Sequence, residues 1–275
     1  MMSPPQIIPL WEQLPDTPRI PDPGRYCDAE DFQPRMELFL CPGDIPRPFV
    51  LICPGGGYAG RTGSERGSIA QWLNTLGMHA AVLFYRVKPW LHPTALSDGR
   101  RALQILQRRA DEWNIDPEQL HVLGFSAGGH LAGCLGLVDD PLPGLPHVQP
   151  ASLLLAYPVV SFTGPETHIA SRTHLLGPDP DREICEQLSL ERRVTSSAPP
   201  IFLWHAADDA LVVAGNSLAL AHAYCQVQRP CSLHVFPEGG HGLPKKGKEL
   251  LSRNWTTLAG NWYQHQHSFK EDSAT

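Results

Sequence analysis

HVLGFSAGGHLA, residues 121–132, decides the reading of this chain. HVLGF (121–125) is a short, continuous apolar run, the pattern of a strand buried on both faces of a sheet. Gly128–Val138 is apolar all round, as a buried helix is. Between them sits Gly124-Phe125-Ser126-Ala127-Gly128. A strand that turns directly into a helix pinches its backbone. Small residues must therefore flank the apex, and the serine there stands proud of the turn.

The same alternation extends outward in both directions. Apolar runs at Phe49–Cys53, Ala80–Tyr85, Leu153–Tyr157, Ile201–Trp204 and Leu233–Phe236 predict further strands. Helical spacing falls between them. Ser64–Leu76 has apolar residues at 69, 72, 73 and 76, and Thr94–Trp113 carries Leu96, Ala102, Leu103, Leu106, Ala110 and Trp113. Gly215–Val227 places Leu218, Ala221, His222 and Cys225 on one face, and Trp255–His265 closes the series. Strands of parallel type alternating with helices predict an α/β fold, a mostly parallel sheet covered on both sides.

Residues 1–48 are rich in proline and read as an arm of the same domain with one or two edge strands, Met36–Leu40 the clearest. Residues 49–265 form the body, and 266–275 read as a flexible tail. Residues 161–198 are longer than an ordinary crossover. They hold a Gly-Pro-Asp-Pro turn at 177–180 and a polar helix near 181–192. Such a stretch is either a small cap over a site or a long connection.

A net charge of -6 over 275 residues argues against a nucleic-acid partner, which needs Lys and Arg in excess on one face. No apolar run approaches the ~20 residues of a membrane span. The N-terminus, MMSPPQIIPLWEQLPDTPRIP, has no basic start and no long apolar run, so a cytoplasmic location is expected. Seven scattered cysteines, Cys27, Cys41, Cys53, Cys134, Cys185, Cys225 and Cys231, include no Cys-x-x-Cys pair. They read as buried thiols in a reducing compartment, not as a metal cluster.

A serine hydroxyl needs a base to take its proton. His241, in Glu238-Gly239-Gly240-His241-Gly242 directly after LHVF, sits on a glycine-freed loop at a strand end. His130, His205 and His234 fall on a helix or in strands and read as packed residues. The base needs an orienting carboxylate. Asp208 and Asp209 both follow IFLW, and Asp209 is the choice, with Asp208 the fallback. Pro54-Gly55-Gly56-Gly57-Tyr58 follows the FVLIC strand, so the N–H groups of Gly56 and Gly57, with that of Ala127, are candidates for an oxyanion hole. Tyr58, Trp90 and Leu211 are candidate pocket residues, and no metal or organic cofactor is called for.

These strings together resemble the esterase/lipase branch of the α/β-hydrolases, and within it the acetyl xylan esterase-like and feruloyl esterase-like proteins. The resemblance runs from about Phe49 to Gly242. PGGGY (54–58), YR (85–86), LSDGRRAL (96–103), GFSAGGHLA (124–132), YPVVS (157–161), LLG (175–177), PPIFLWHAADD (199–209) and GGHG (239–242) carry it. It implies an α/β-hydrolase fold with an eight-stranded, mostly parallel sheet. It further implies hydrolysis of short-chain esters, with a small-molecule ester or an acetylated oligosaccharide as partner. Pro54 stands where the related loops carry His, so the loop must be anchored differently. Asp98 and Arg86 are expected to cap a helix and to pair near the site. Two other readings stay open: an arylformamidase-type amidase on the same side chains, and a hydrolase fold that only binds.

Overall fold

The strand that ends in Ser126 is β5 (Ile115–Phe125), eleven residues long. In the computed structural model, which describes residues 5–21, 24, 27–243 and 251–272 (side chains as far as 265), it lies near the middle of an eight-stranded sheet. The strands are β1 (Gln6–Pro9), β2 (Arg35–Phe39), β3 (Arg47–Cys53), β4 (His79–Phe84), β5, β6 (Ser152–Ala156), β7 (Ile201–Ala206) and β8 (Cys231–Phe236). Their order is β1-β2-β4-β3-β5-β6-β7-β8. The first two pairings, β1 with β2 and β2 with β4, are antiparallel; all the others are parallel. The proline-rich arm thus supplies two strands, but only β1 is an edge; β2, the strand expected at an edge near Met36–Leu40, lies one place inside it, between β1 and β4.

The helices cover both faces. On one side α1 (Gly67–Thr75) and α7 (Trp255–Asp272) bury Ile69, Leu73, Trp255 and Tyr263 against Val50, Val82, Phe125 and Trp204. On the other, α2 (Thr94–Arg108), α3 (Ala127–Leu137) and α6 (Gly215–Gln226) bury Leu103, Leu131 and Leu220 against Leu51, Val122 and Leu203. All eleven residues of α3 are buried, as its all-round apolar sequence requires. Among the described residues no helix is long and apolar enough to cross a membrane.

Several expectations are corrected. α2 stops at Arg108, not Trp113: the Ile115 N–H takes the Ala110 carbonyl, and Asn114, at φ +52°, turns the chain into β5. α6 is rotated from the predicted face. Leu218, His222 and Cys225 face outward, while Ser217, Leu220, Ala221 and Tyr224 face the sheet. Leu220 and Tyr224 bring more apolar surface to the core. The polar helix of 181–192 is two pieces, α5 (Arg182–Gln187) and a 3₁₀ turn (Leu190–Arg192), preceded by α4 (Ile169–Leu176). α7 continues to Asp272, beyond the predicted His265, and residues 1–4 and 273–275 of the arm and tail lie outside the described residues. All seven cysteines are free thiols, but only Cys53, Cys134 and Cys185 are buried; Cys27 and Cys225 are exposed.

Register explains where a site can form. Cys53 pairs with Gly124, Phe125 with Ala156, Ala156 with Trp204 and Ala206 with Phe236. The C-terminal ends of five neighbouring strands therefore line one rim. β3 is where the strand order reverses, the usual place for a crevice in an open α/β sheet.

Candidate active site

Ser126 sits at φ +54° and ψ −121°, outside the regions a side chain prefers, and is held there from both sides. Its N–H donates to the Ala156 carbonyl at 3.0 Å, and its own carbonyl accepts the N–H groups of His130 and Val159, each at 3.1 Å. The flanking glycines are sterically obligatory. A Cβ on Gly124 would overlap the Gly128 carbonyl, and one on Gly128 would overlap the carbonyls of Cys53 and Pro54. The Gly128 contact also shows that the serine turn and the glycine loop after β3 are packed backbone to backbone.

His241 reaches this serine from the loop after β8. Its Nε2 lies 2.9 Å from Ser126 Oγ, and its Nδ1 lies 2.7 Å from Asp209 Oδ2. The other carboxylate oxygen, Oδ1, accepts the N–H groups of Leu211 at 2.9 Å and Val212 at 3.0 Å. A carboxylate only accepts, so Nδ1 carries the proton and Nε2 is free to receive one. Burial alone would raise the Asp209 pKa. Hydrogen bonds from His205 and His241, the charge of His241 and the Val212 N–H outweigh it and hold the carboxyl well below the usual range. The edge of the Tyr157 ring system stands against the imidazole, 5.1 Å between centroids.

The other histidines are occupied elsewhere. His130 donates from Nε2 to the Leu188 carbonyl at 2.8 Å and accepts the Tyr58 hydroxyl on Nδ1 at 2.9 Å. Burial pushes its pKa down to about 4, so it stays neutral. His205 is fully buried; Nε2 donates to the Val212 carbonyl at 2.8 Å and stands 3.3 Å from Asp209 Oδ2, while Nδ1 meets Ser217 Oγ at 2.8 Å. It braces the loop that carries Asp209. His234 packs on Phe202.

Three N–H groups beside Ser126, those of Gly56, Gly57 and Ala127, belong to peptides whose carbonyls are all hydrogen-bonded elsewhere. A trans peptide sets its C=O and N–H on opposite sides. The Gly55 carbonyl accepts Thr62 N–H at 2.8 Å, which turns the Gly56 N–H away from that bond. The Gly56 carbonyl accepts the N–H groups of Ala59 and Gly60, and the Ser126 carbonyl those of His130 and Val159, so the Gly57 and Ala127 N–H groups likewise face away from those bonds. Among the described residues none accepts a hydrogen bond from these three. Ala127 also opens α3, whose N-terminal end favours negative charge. The arrangement can move a proton from a hydroxyl to an imidazole, beside three N–H groups that no described residue occupies.

A cleft of about 850 Å³ opens over these groups, lined among others by Thr62, Glu65, Ser126, His168, Leu211 and His241. Leu211 takes the place expected of it, on the wall. Tyr58 and Trp90 do not. Tyr58 is buried under the loop with its hydroxyl spent on His130, and Trp90 is buried between Phe32 and the Arg19 guanidinium. Residues 161–198 bring His168 and Ala170 to the cleft wall. Asp98 caps nothing: it lies in the second turn of α2, where it accepts the Arg86 N–H and both sides of its guanidinium, plus Trp11 Nε1.

Sequence reasoning missed Glu65. This carboxylate is buried beside the serine turn, accepts the Gly55 N–H at 2.6 Å and the Tyr157 hydroxyl at 2.8 Å, and has its pKa raised chiefly by burial. A signal existed: Glu65 lies one turn before Ile69, on the apolar face of the predicted helix. His168 and His174, in a stretch without periodicity, carried none.

A family model described as BD-FAE matches residues 36–224. The chain is 35% identical over 237 residues to endo-1,4-beta-xylanase B of Butyrivibrio fibrisolvens, covering 82% of this chain and 37% of that protein. It is 30% identical over 255 residues to an acetylxylan esterase of Xylanibacter ruminicola, covering 89% and 51%. The chain thus spans about half or less of the length of these curated relatives. Among solved structures, an acetyl ester-xyloside bifunctional hydrolase from Caldicellulosiruptor lactoaceticus superposes with a TM-score of 0.85 at 36% identity, covering 96% of this chain and 97% of the other. A carboxylesterase from Lactobacillus plantarum gives 0.73 at 28%, covering 86% and 93%.

Proposed function

We propose that this chain, which belongs to the BD-FAE family of α/β-hydrolase esterases, is a serine carboxylesterase that removes short acyl groups, acetyl foremost, from xylo-oligosaccharides. The observation that carries the reading is one unbroken hydrogen-bonded line from Ser126 Oγ through His241 to Asp209. The acetylxylan esterase and the acetyl ester-xyloside hydrolase among its relatives support the substrate class.

His241 takes the Ser126 proton as Oγ attacks the ester carbonyl. Asp209 holds the imidazole in its Nδ1–H tautomer and stabilises the charge it gains. The carbonyl oxygen, now negative, lies on the N–H groups of Gly56, Gly57 and Ala127. These donors are fixed before the reaction, so no reorganisation is needed as charge develops. His241 then protonates the leaving alcohol, and in the second half it activates water to release the acid from Ser126.

The test is Ser126→Ala assayed on p-nitrophenyl acetate and on acetylated xylo-oligosaccharides, with a formanilide in parallel. Turnover should fall by about 10⁴-fold or more on both esters with the thermal transition unchanged. Activity near wild type would sink the reading. Faster cleavage of the formanilide than of either ester would move it to an amidase.

A further inference from the structure

The glycine loop needs an anchor that its sequence does not supply. Pro54 offers no side-chain donor or acceptor at the loop's first position. The loop is instead tied from three elements: the Tyr85 hydroxyl donates to the Pro54 carbonyl at 2.7 Å, Glu65 accepts the Gly55 N–H, and His174 Nδ1 meets the Gly57 carbonyl at 2.7 Å. A carbonyl only accepts, so His174 carries its proton on Nδ1. The first two ties come from the residue that follows β4 and from the turn before α1. The third comes from α4, inside the long 161–198 connection.

That tie falls at a sensitive point. Gly57 is left-handed, at φ +64°, so it can rotate into conformations closed to other residues, and its N–H is one of the three proposed oxyanion donors. Fixing its carbonyl fixes the residue's other end. α4 is itself well seated. Its Leu175 carbonyl accepts His92 N–H at 2.8 Å, and Ser171, fully buried, bonds His168 Nδ1 at 2.8 Å.

We propose that His174 is a positioning residue for the oxyanion donors, so that the 161–198 connection sets catalytic rate as well as the shape of the cleft. The proposal rests on the esterase reading above. Its chemistry distinguishes two near-isosteres. An Asn amide nitrogen occupies the place of imidazole Nδ1 and can donate the same bond. A Gln amide nitrogen occupies the place of Nε2 and cannot. His174 is only part-buried, so neither change threatens the fold.

The experiment measures kcat and KM on p-nitrophenyl acetate for the 275-residue wild-type chain, His174→Asn, His174→Gln and Ser126→Ala, with inhibition by a trifluoromethyl ketone that forms an oxyanion adduct on serine. His174→Gln should lose about tenfold in kcat, less than removing a donor outright. Its KM should stay within about twofold, its ketone affinity should fall in parallel, and His174→Asn should recover most of both. Equal kcat in the Asn and Gln variants, or a loss in KM alone, overturns the role of His174. Full turnover by Ser126→Ala overturns the esterase reading itself.

Discussion

Asp208 and Asp209, adjacent in the chain, hold adjacent residues of one loop: Asp208 Oδ1 accepts the Gly240 N–H at 2.8 Å, and Asp209 Oδ2 meets His241 Nδ1 at 2.7 Å. The first carboxylate is exposed and steers backbone; the second is buried and sets the tautomer of the proposed base. Asp209→Asn should therefore cut kcat by about 10⁴-fold, because the amide favours the wrong tautomer. Asp208→Ala should cost tenfold or less. Steady-state rates on p-nitrophenyl acetate check both, and equal losses would undo the division of labour.

Asp209 and Glu65, two carboxylates that feel the charge of His241, should respond to pH in opposite directions. The Asp209 pKa is depressed in the fold, so its stabilisation is present above the ordinary carboxylate pKa and fades as pH falls through the folded value. The Tm gap between wild type and Asp209→Asn should narrow from pH 6 to pH 3. The Glu65 pKa is raised, so its favourable contribution is present in acid and is lost as pH rises through the folded value. Glu65→Gln removes the charge and keeps both contacts with one reversed: its amide oxygen can accept the Gly55 N–H while its amide nitrogen donates to the Tyr157 hydroxyl oxygen. It should match wild type at pH 4 and equal or exceed it at pH 7 in urea midpoint; a large loss confined to pH 7 would show that the charge stabilises.

Arg86 and Asp98 form a fully buried ion pair with three charge-assisted contacts. Arg86→Met leaves the carboxylate buried without its main partner. The expected cost is about 3–5 kcal/mol by urea unfolding. A loss under about 1 kcal/mol would mean that the pair is solvated in practice.

Gly128→Ala should be among the most damaging single-methyl changes in the chain. The added carbon meets the Cys53 and Pro54 carbonyls, which are backbone and cannot swing aside. A loss of about 3 kcal/mol or more is expected, at the upper end for overpacking. Soluble yield and urea midpoint read it out.

Much of this was legible because strand ends announce themselves. FVLIC, HVLGF, IFLW and LHVF are short apolar runs, and each is followed directly by the glycine, serine, aspartate or histidine that the rim uses. Parallel pairing then brings those ends together whatever their distance in sequence. What stayed hidden depends on packing rather than on period. Trp90, in an irregular loop, reads as a candidate pocket residue, yet Phe32 and Arg19 from the arm cover it. His174 finds Gly57 across 117 residues, through a connection whose helices are too short and too polar to declare a face. The face of α6 was misjudged for a related reason: its buried side includes Asn216 and Ser217, which the core needs as hydrogen-bond partners for Val160 and His205.

β8, the last strand of the sheet, has a single strand for a neighbour and is only half-buried along its length. The imidazole at 241 hangs from its far end. On the proposed mechanism, competence for hydrolysis therefore depends on the sheet's margin, while far-UV circular dichroism averages over the whole backbone. Marginal elements open at lower cost than central ones. During mild urea treatment, turnover should vanish at a lower concentration than the helical signal. A ribosome-bound chain would likewise stay chemically silent until β8 has docked.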